Sequence, residues 1–155
     1  MHVDIIDEQT ALPLSTDAVS AIVKHVIEFE EQICDEVSVH FVDEPTICEL
    51  HRIYFNDPSP TDCISFPLES DDIPGYKNIG NVFVCPQVAI LYARLQNANA
   101  YDEITLYIVH GLLHLMGYDD TTEALTQEMR EAEVRHLAEL KKNGLNLYGK
   151  DEKKI

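Results

Sequence analysis

The sequence predicts an α+β fold: a single domain in which a small mixed sheet packs with several helices, one of them central and buried. Three observations carry this. Four short segments of strand character, mostly early in the chain, accompany five longer ones of helical periodicity. The stretch DEITLYIVHGLLHLM is apolar nearly all round, the pattern of a helix enclosed by its own protein. The 155 residues are 45% apolar and contain no repeat, low-complexity tract or Pro/Gly/Ser linker, which suits one domain with a real core.

In chain order, VDII is a short apolar strand. STDAVSAIVKHVIEFEEQI reads as a helix capped by Ser15 or Thr16, with Ala18, Ala21, Ile22, Val26 and Phe29 near helical spacing. EVSVHFV alternates Val37, Val39 and Phe41 with polar residues, which is strand period. EPTICELHRIYFN is a short helix, and Pro58 and Pro60 forbid its continuation. DCISFPL and IGNVFVCP are two strands, each stopped by proline. The polar connection with its Pro74-Gly75 turn signal suits an antiparallel pair. CPQVAILYARLQNA begins a helix with Pro86 in its first turn. After the central helix, DDTTEALTQEMREAEVRHLAELKKN is amphipathic, with Leu125, Met129, Val134, Leu137 and Leu140 as its apolar stripe. Lys141, Lys142, Asn143 and Gly144 are a good stop, so the domain is placed at 1–144 and a frayed polar tail at 145–155.

Charge narrows the function. Twenty-eight acids against eleven bases give −17, which opposes long-range attraction of nucleic acid. A polyanionic ligand would need a local basic groove, a bound cation, or both. No run is long and apolar enough to span a membrane, and MHVDIIDEQT has no basic region of the signal-peptide kind. Cys34, Cys48, Cys63 and Cys85 form no C-x-x-C pair, so four reduced, mostly buried thiols in a cytoplasmic protein are expected.

The chemistry concentrates in HGLLHLMGYDD, residues 110–120. Histidines four apart on a helix leave one face, and both can reach one cation. Gly117 lets the chain turn sharply out of the helix, and Asp120 can then swing back under the metal. The spacing matches the metzincin pattern, with Gly111 for its glutamate and Asp120 for its third histidine. Losing that glutamate removes a helix-borne general base and makes peptide hydrolysis a poorer fit. Asp120 has a second reading. DTTE is an N-cap signature, with Asp119 or Asp120 as cap and Glu123 completing a capping box.

HGLLHLMGYDD closely resembles the H-G-x-L-H-L-x-G-Y-D-H signature of the YbeY family, metal-dependent endoribonucleases of bacterial rRNA maturation. PTDCISFPL resembles the family's P-T-D-V-L-S-F-P, and IGNVFVCPQVA its L-G-D-I-x-I-x-P strand, in the same order. The resemblance covers roughly Leu50 to Arg130. It implies an α+β fold with Zn²⁺ held by residues matching His110, His114 and Asp120 at the mouth of a cleft. It also implies single-strand-specific RNA cleavage in the cytoplasm, in small-subunit rRNA 3′-end maturation and ribosome quality control. The partners would be rRNA and the small ribosomal subunit or its associated proteins, and the protein would act as a monomer.

Three positions depart from the family pattern. Asp120 stands where the family has histidine, which makes bound water less acidic and Mn²⁺ more competitive. Phe55 stands where the family carries an arginine, and Arg52, one helical turn earlier, is the candidate to replace it. Asn81 replaces an aspartate, removing a negative charge that would repel a polyanion. His114 and Arg52 are thus the catalytic candidates, and Arg52, Lys77 and Arg94 the basic residues expected to flank the cleft. Gly111 would let RNA approach the helix closely, and Phe66 or Tyr118 would either stack a base or pack in the core. The competing functions are a metallopeptidase of similar helix geometry and a non-catalytic, ribosome-associated metal-binding protein.

Overall fold

The computed structural model describes residues 1–68 and 73–148. The strands are β1 (His2–Asp7), β2 (Glu36–Phe41), β3 (Cys63–Pro67) and β4 (Asn78–Val84). The helices are α1 (Thr16–Phe29), α2 (Glu44–Phe55), α3 (Pro86–Gln96), α4 (Ala100–Leu115) and α5 (Glu123–Lys142). Local chemistry sets the ends. The Ser15 hydroxyl accepts from the Ala18 amide at 3.2 Å and starts α1. Asp43 does the same for Thr46 at 3.0 Å ahead of α2, with Pro45 in the first turn. Asn56, left-handed at φ 54°, closes α2 before the prolines. α1 stops at Phe29, short of the expected Ile33, because Glu31 turns left-handed and Ile33 is left exposed.

The sheet runs β1-β2-β4-β3, with β1, β2 and β4 parallel and β3 antiparallel to β4. It is the expected α+β arrangement with a mixed sheet. Period-2 alternation sends Val37, Val39 and Phe41 of β2 and Val82 and Val84 of β4 to one face. There they meet Ile22 and Val26 of α1 and Ile104, Ile108 and Leu112 of α4, with Met129 and Leu140 of α5 in the same core. α2 covers part of the other face through Ile47, packed with Val42, Ile64 and Cys85. Each fully buried Leu or Ile contributes about 1.5–3 kcal/mol, so the Ile104–Leu113 part of α4 is firmly seated.

α4 lies very close to β4. A Cβ on Gly111 would stand 2.5 Å from Val82 Cγ1, and the Ser65 hydroxyl donates to the Gly111 carbonyl at 2.9 Å. Gly111 therefore serves packing and is buried against the sheet, not open to a substrate.

Two sequence expectations are corrected at the C-terminal end. Of the expected stripe on α5, Met129, Leu137 and Leu140 meet the core, but Val134 is 67% exposed, while Glu133 and His136 are buried. The segment after Gly144 is not frayed at its start, because Leu147 is 3% exposed and packs in the core with Leu145 against it. Residues 149–155 of that expected tail lie outside the described residues. All four cysteines are free thiols, but only Cys85 is fully buried. No helix among the described residues is long and apolar enough to cross a membrane.

Candidate metal centre

The last two turns of α4 carry His110 and His114, both half-buried. The helix then ends in a Schellman turn. The Gly117 amide bonds the His114 carbonyl at 3.2 Å, and the Tyr118 amide bonds the Leu113 carbonyl at 3.0 Å. Gly117 takes φ 102°, which a side chain would disfavour. The reversal sends residues 118–121 back over the helix end, and Asp120 comes to rest beside both rings. Its Oδ2 lies 3.7 Å from His110 Nε2 and 3.5 Å from His114 Nε2.

The hydrogen bonds of the rings decide what this cluster can hold. His110 Nδ1 donates to the Glu133 carboxylate at 2.7 Å, and His114 Nδ1 donates to the Tyr118 carbonyl at 3.1 Å. Both partners are acceptors, so each neutral ring carries its proton on Nδ1. Two Nε2 lone pairs then face each other at 3.1 Å, with a carboxylate oxygen beside them. These three donors repel one another until a cation takes the point between them. All three donor atoms lie within 4.8 Å of one another. Tetrahedral Zn²⁺ with bonds of about 2.0–2.1 Å spaces its ligand atoms roughly 3.3 Å apart, so the cluster needs little adjustment. The residues present fit a divalent cation.

Asp120 is thereby separated from the helix-capping role. The cap of α5 is Thr122, whose hydroxyl accepts from the Leu125 amide at 3.1 Å. Asp119 instead accepts from the Asp120 amide at 2.7 Å and steadies the turn.

Sequence reasoning missed the groups that support the ligands. Glu133 is 4% exposed and shared between His110 and Arg130, whose Nη1 donates to its two oxygens at 2.8 and 3.2 Å. Burial pushes the Glu133 carboxyl up, but the bonds from His110 and Arg130 outweigh it and hold it below its ordinary value. An ionised carboxylate on the far nitrogen of a ligating histidine fixes the ring and raises its basicity.

The cluster opens on a cleft of about 670 Å³, walled by the end of α2 (His51, Phe55), by Thr61–Ser65 and by Gly117–Thr121. His51 is the second group missed. Its Nδ1 donates to the Ser59 carbonyl at 2.8 Å, which leaves Nε2 as a proton acceptor on the cleft wall. Burial, and then the Asp62, Glu133 and Asp120 carboxylates, push the Cys63 thiol well above its ordinary value, so it stays protonated.

The other candidates are dispersed. Arg52 is exposed and forks onto Glu49, with Nε to Oε2 at 3.0 Å and a closer Nη2–Oε1 contact, and it does not line the cleft. Lys77 borders a separate depression with Glu31 and Asp35, and Arg94 another with Leu12 and Asn97. Asn81 meets His40 Nε2 at 3.1 Å on the sheet face away from α4, so its lost charge is not at the site. Phe66 packs edge-on against Tyr54 and Phe83, whereas Tyr118 stays on the cleft wall, its hydroxyl accepting from Arg135 at 3.4 Å.

Comparison with known proteins agrees with this picture. A sequence model of the family described as Endoribonuclease YbeY matches residues 4–141. Endoribonuclease YbeY of Protochlamydia amoebophila is 56% identical over 142 residues, covering 92% of this chain and 93% of that protein. Endoribonuclease YbeY of Chlamydia pneumoniae is 33% identical over 146 residues, covering 92% of each. A Thermotoga maritima protein solved in solution superposes with a TM-score of 0.59 at 23% identity, over 91% of this chain and 93% of that one, which speaks for the fold. The chain belongs to the YbeY family.

Proposed function

We propose that this protein is a metal-dependent, single-strand-specific endoribonuclease that matures the 3′ end of small-subunit rRNA and takes part in ribosome quality control. It would act in the cytoplasm as a monomer, with small-subunit components as partners. The observation that carries the chemistry is the convergence of His110 Nε2, His114 Nε2 and Asp120 Oδ2 at the mouth of an open cleft. The observation that carries the substrate is kinship with proteins named as endoribonucleases.

Zn²⁺ suits the donor set best, and Mn²⁺ competes because one donor is a carboxylate. When bound, the ion supplies Lewis acidity toward the scissile phosphate or an acidified water. The chain does the rest. Glu133 and the Tyr118 carbonyl orient the two imidazoles. His51 Nε2 takes the proton of the attacking water or 2′-hydroxyl as the new O–P bond forms and the bond to the leaving oxygen breaks. Peptide hydrolysis has less support, because Gly111, where peptidases carry a glutamate, is packed against β4.

His114→Ala is the direct test. It should lose stoichiometric zinc by elemental analysis and lose cleavage of a single-stranded RNA oligonucleotide. Full cleavage by that variant would sink the proposal.

A further inference from the structure

We infer that Arg130 is the phosphate-contacting arginine of this site, set in place by the buried carboxylate of Glu133, which also positions His110. The inference rests on the endoribonuclease reading above and extends it to the residue that meets the substrate's charge.

A phosphodiester in this cleft needs a cation besides the metal. None of the described residues lining the cleft is a lysine or arginine, and Asp62, Asp119 and Asp120 make it acidic. Phe55, on the wall, cannot supply the charge, and Arg52 is engaged by Glu49 on the outside of α2. Arg130 stands on α5 outside that lining and is tied to it through Glu133 and His110. It sits one helical turn before Glu133 and bonds both of its oxygens, one of which, Oε2, also accepts from His110. The chain Arg130–Glu133–His110 therefore ties a guanidinium to a metal ligand through one buried group. The guanidinium also feels the carboxylates of Asp120 and Asp62, the first a ligand and the second on the cleft wall.

Its exposure suits contact with a ligand. The Arg130 side chain is 61% exposed while Glu133 is 5% exposed. Glu133 binds through Nη1, so the rest of the planar fork remains available for a phosphate. Such a carboxylate tether also holds the arginine in one place, which lowers the ordering cost when substrate binds.

The two residues then have separable roles. Glu133 is a positioning residue that acts through His110, and Arg130 touches the substrate. Wild type, Glu133→Gln, Arg130→Ala, Arg130→Lys and Arg52→Ala are compared by zinc competition titration and by steady-state cleavage of a fluorescent single-stranded RNA. Glu133→Gln should weaken zinc binding by about 10- to 100-fold. Arg130→Ala should leave zinc affinity unchanged and lower kcat/KM by about tenfold or more, the size of one charge-assisted hydrogen bond. Arg130→Lys should recover part of that loss, and Arg52→Ala should behave as wild type. Wild-type kcat/KM in Arg130→Ala overturns the inference. So does a loss matched by an equal loss of zinc affinity, which would make the arginine merely a support for Glu133.

Should wild type cut no RNA with any divalent cation, the endoribonuclease reading fails on its own. Arg130 is then judged by calorimetric binding of inorganic phosphate to the zinc-loaded protein. Equal affinity in wild type and Arg130→Ala rejects it.

Discussion

Gly111→Ala adds a single methyl group and should disturb both stability and the metal site without touching a ligand. The new Cβ would lie 2.5 Å from Val82 Cγ1 and 3.2 Å from Val82 Cγ2 and Ser65 Oγ. Carbon atoms rest about 3.5–4.0 Å apart, so roughly 1 Å of overlap must be relieved. Val82 is fully buried, and a β-branched side chain is stiff at χ1. Its methyl cannot swing aside, and α4 must lift from β4. Overpacking of this kind costs about 1–3 kcal/mol, while alanine's better helix propensity offsets about 1 kcal/mol. A net loss of up to about 2 kcal/mol lowers Tm by up to roughly 8 °C in a chain of this size. The lift also strains the bond from Ser65 to the Gly111 carbonyl, between the two histidines, so zinc affinity should fall as well. Calorimetry of the metal-free protein and a zinc competition titration read the two effects. A variant more stable than wild type, with zinc affinity unchanged, would refute the close-packing account of this glycine.

Three further outcomes are expected. Thr122→Ala should cost about 1 kcal/mol as a lost helix cap and leave zinc content unchanged, whereas Asp120→Ala should lose zinc; equal metal in both variants would remove Asp120 from the ligand set. His51→Gln should lower kcat by about 10²- to 10⁴-fold with zinc affinity intact, and a pH–rate profile that keeps its acidic limb in that variant would discard His51 as the proton acceptor. His136 is fully buried on α5, with Glu30 Oε1 at 3.5 Å from its Nε2. Burial holds it below its ordinary value, only partly opposed by Glu30. Above about pH 6.5 it is neutral folded or unfolded; below that the unfolded chain takes the proton first, so stability falls as pH drops. His136→Leu should flatten that slope in EDTA-treated protein, measured as Tm from pH 7.5 to 5, and an unchanged slope would put the acid sensitivity elsewhere. The depressed Glu133 carboxyl acts in a lower window: its stabilisation is complete above about pH 4.3 and is lost as pH falls through its folded value.

What the sequence makes legible here is what one helix encodes. His110 and His114 share a face because of their spacing, and Gly117 is readable as the place where α4 must turn. The strand pair β3 and β4 is likewise local, bounded by its prolines. Glu133 was out of reach because it meets His110 across 23 positions, through the packing of α5 on α4. Polarity even points the wrong way there. A stripe chosen for apolar residues takes in Val134 and leaves out Glu133 and His136, yet the two polar residues are the buried ones. DDTTE offers several side chains able to cap, and Thr122 takes the role, so that Glu123 begins the helix and Asp120 stays in the turn. Arg52 was misplaced for a similar reason, since its nearest acid, Glu49, lies on its own helix.

The acidity of the chain and the acidity of its substrate are reconciled at the same residues. Without a cation, the cleft presents Asp62, Asp119 and Asp120 to any phosphate, within a protein of net charge −17. Against the single carboxylate of Asp120 and two neutral imidazoles, a doubly charged ion would leave one net positive charge at the ligand cluster itself, while Asp62 and Asp119 keep the cleft around it negative. Arg130 adds another from α5, partly neutralised by Glu133. The attraction is therefore confined to the reacting centre and is felt over about a Debye length, roughly 8 Å at physiological salt. Under the proposed function, such a chain would gain little from the RNA backbone at a distance and would depend on its metal for admission of the substrate as well as for chemistry. Under the same proposal, an exposed single-stranded phosphate able to reach into the cleft is the form of RNA such a site would fit.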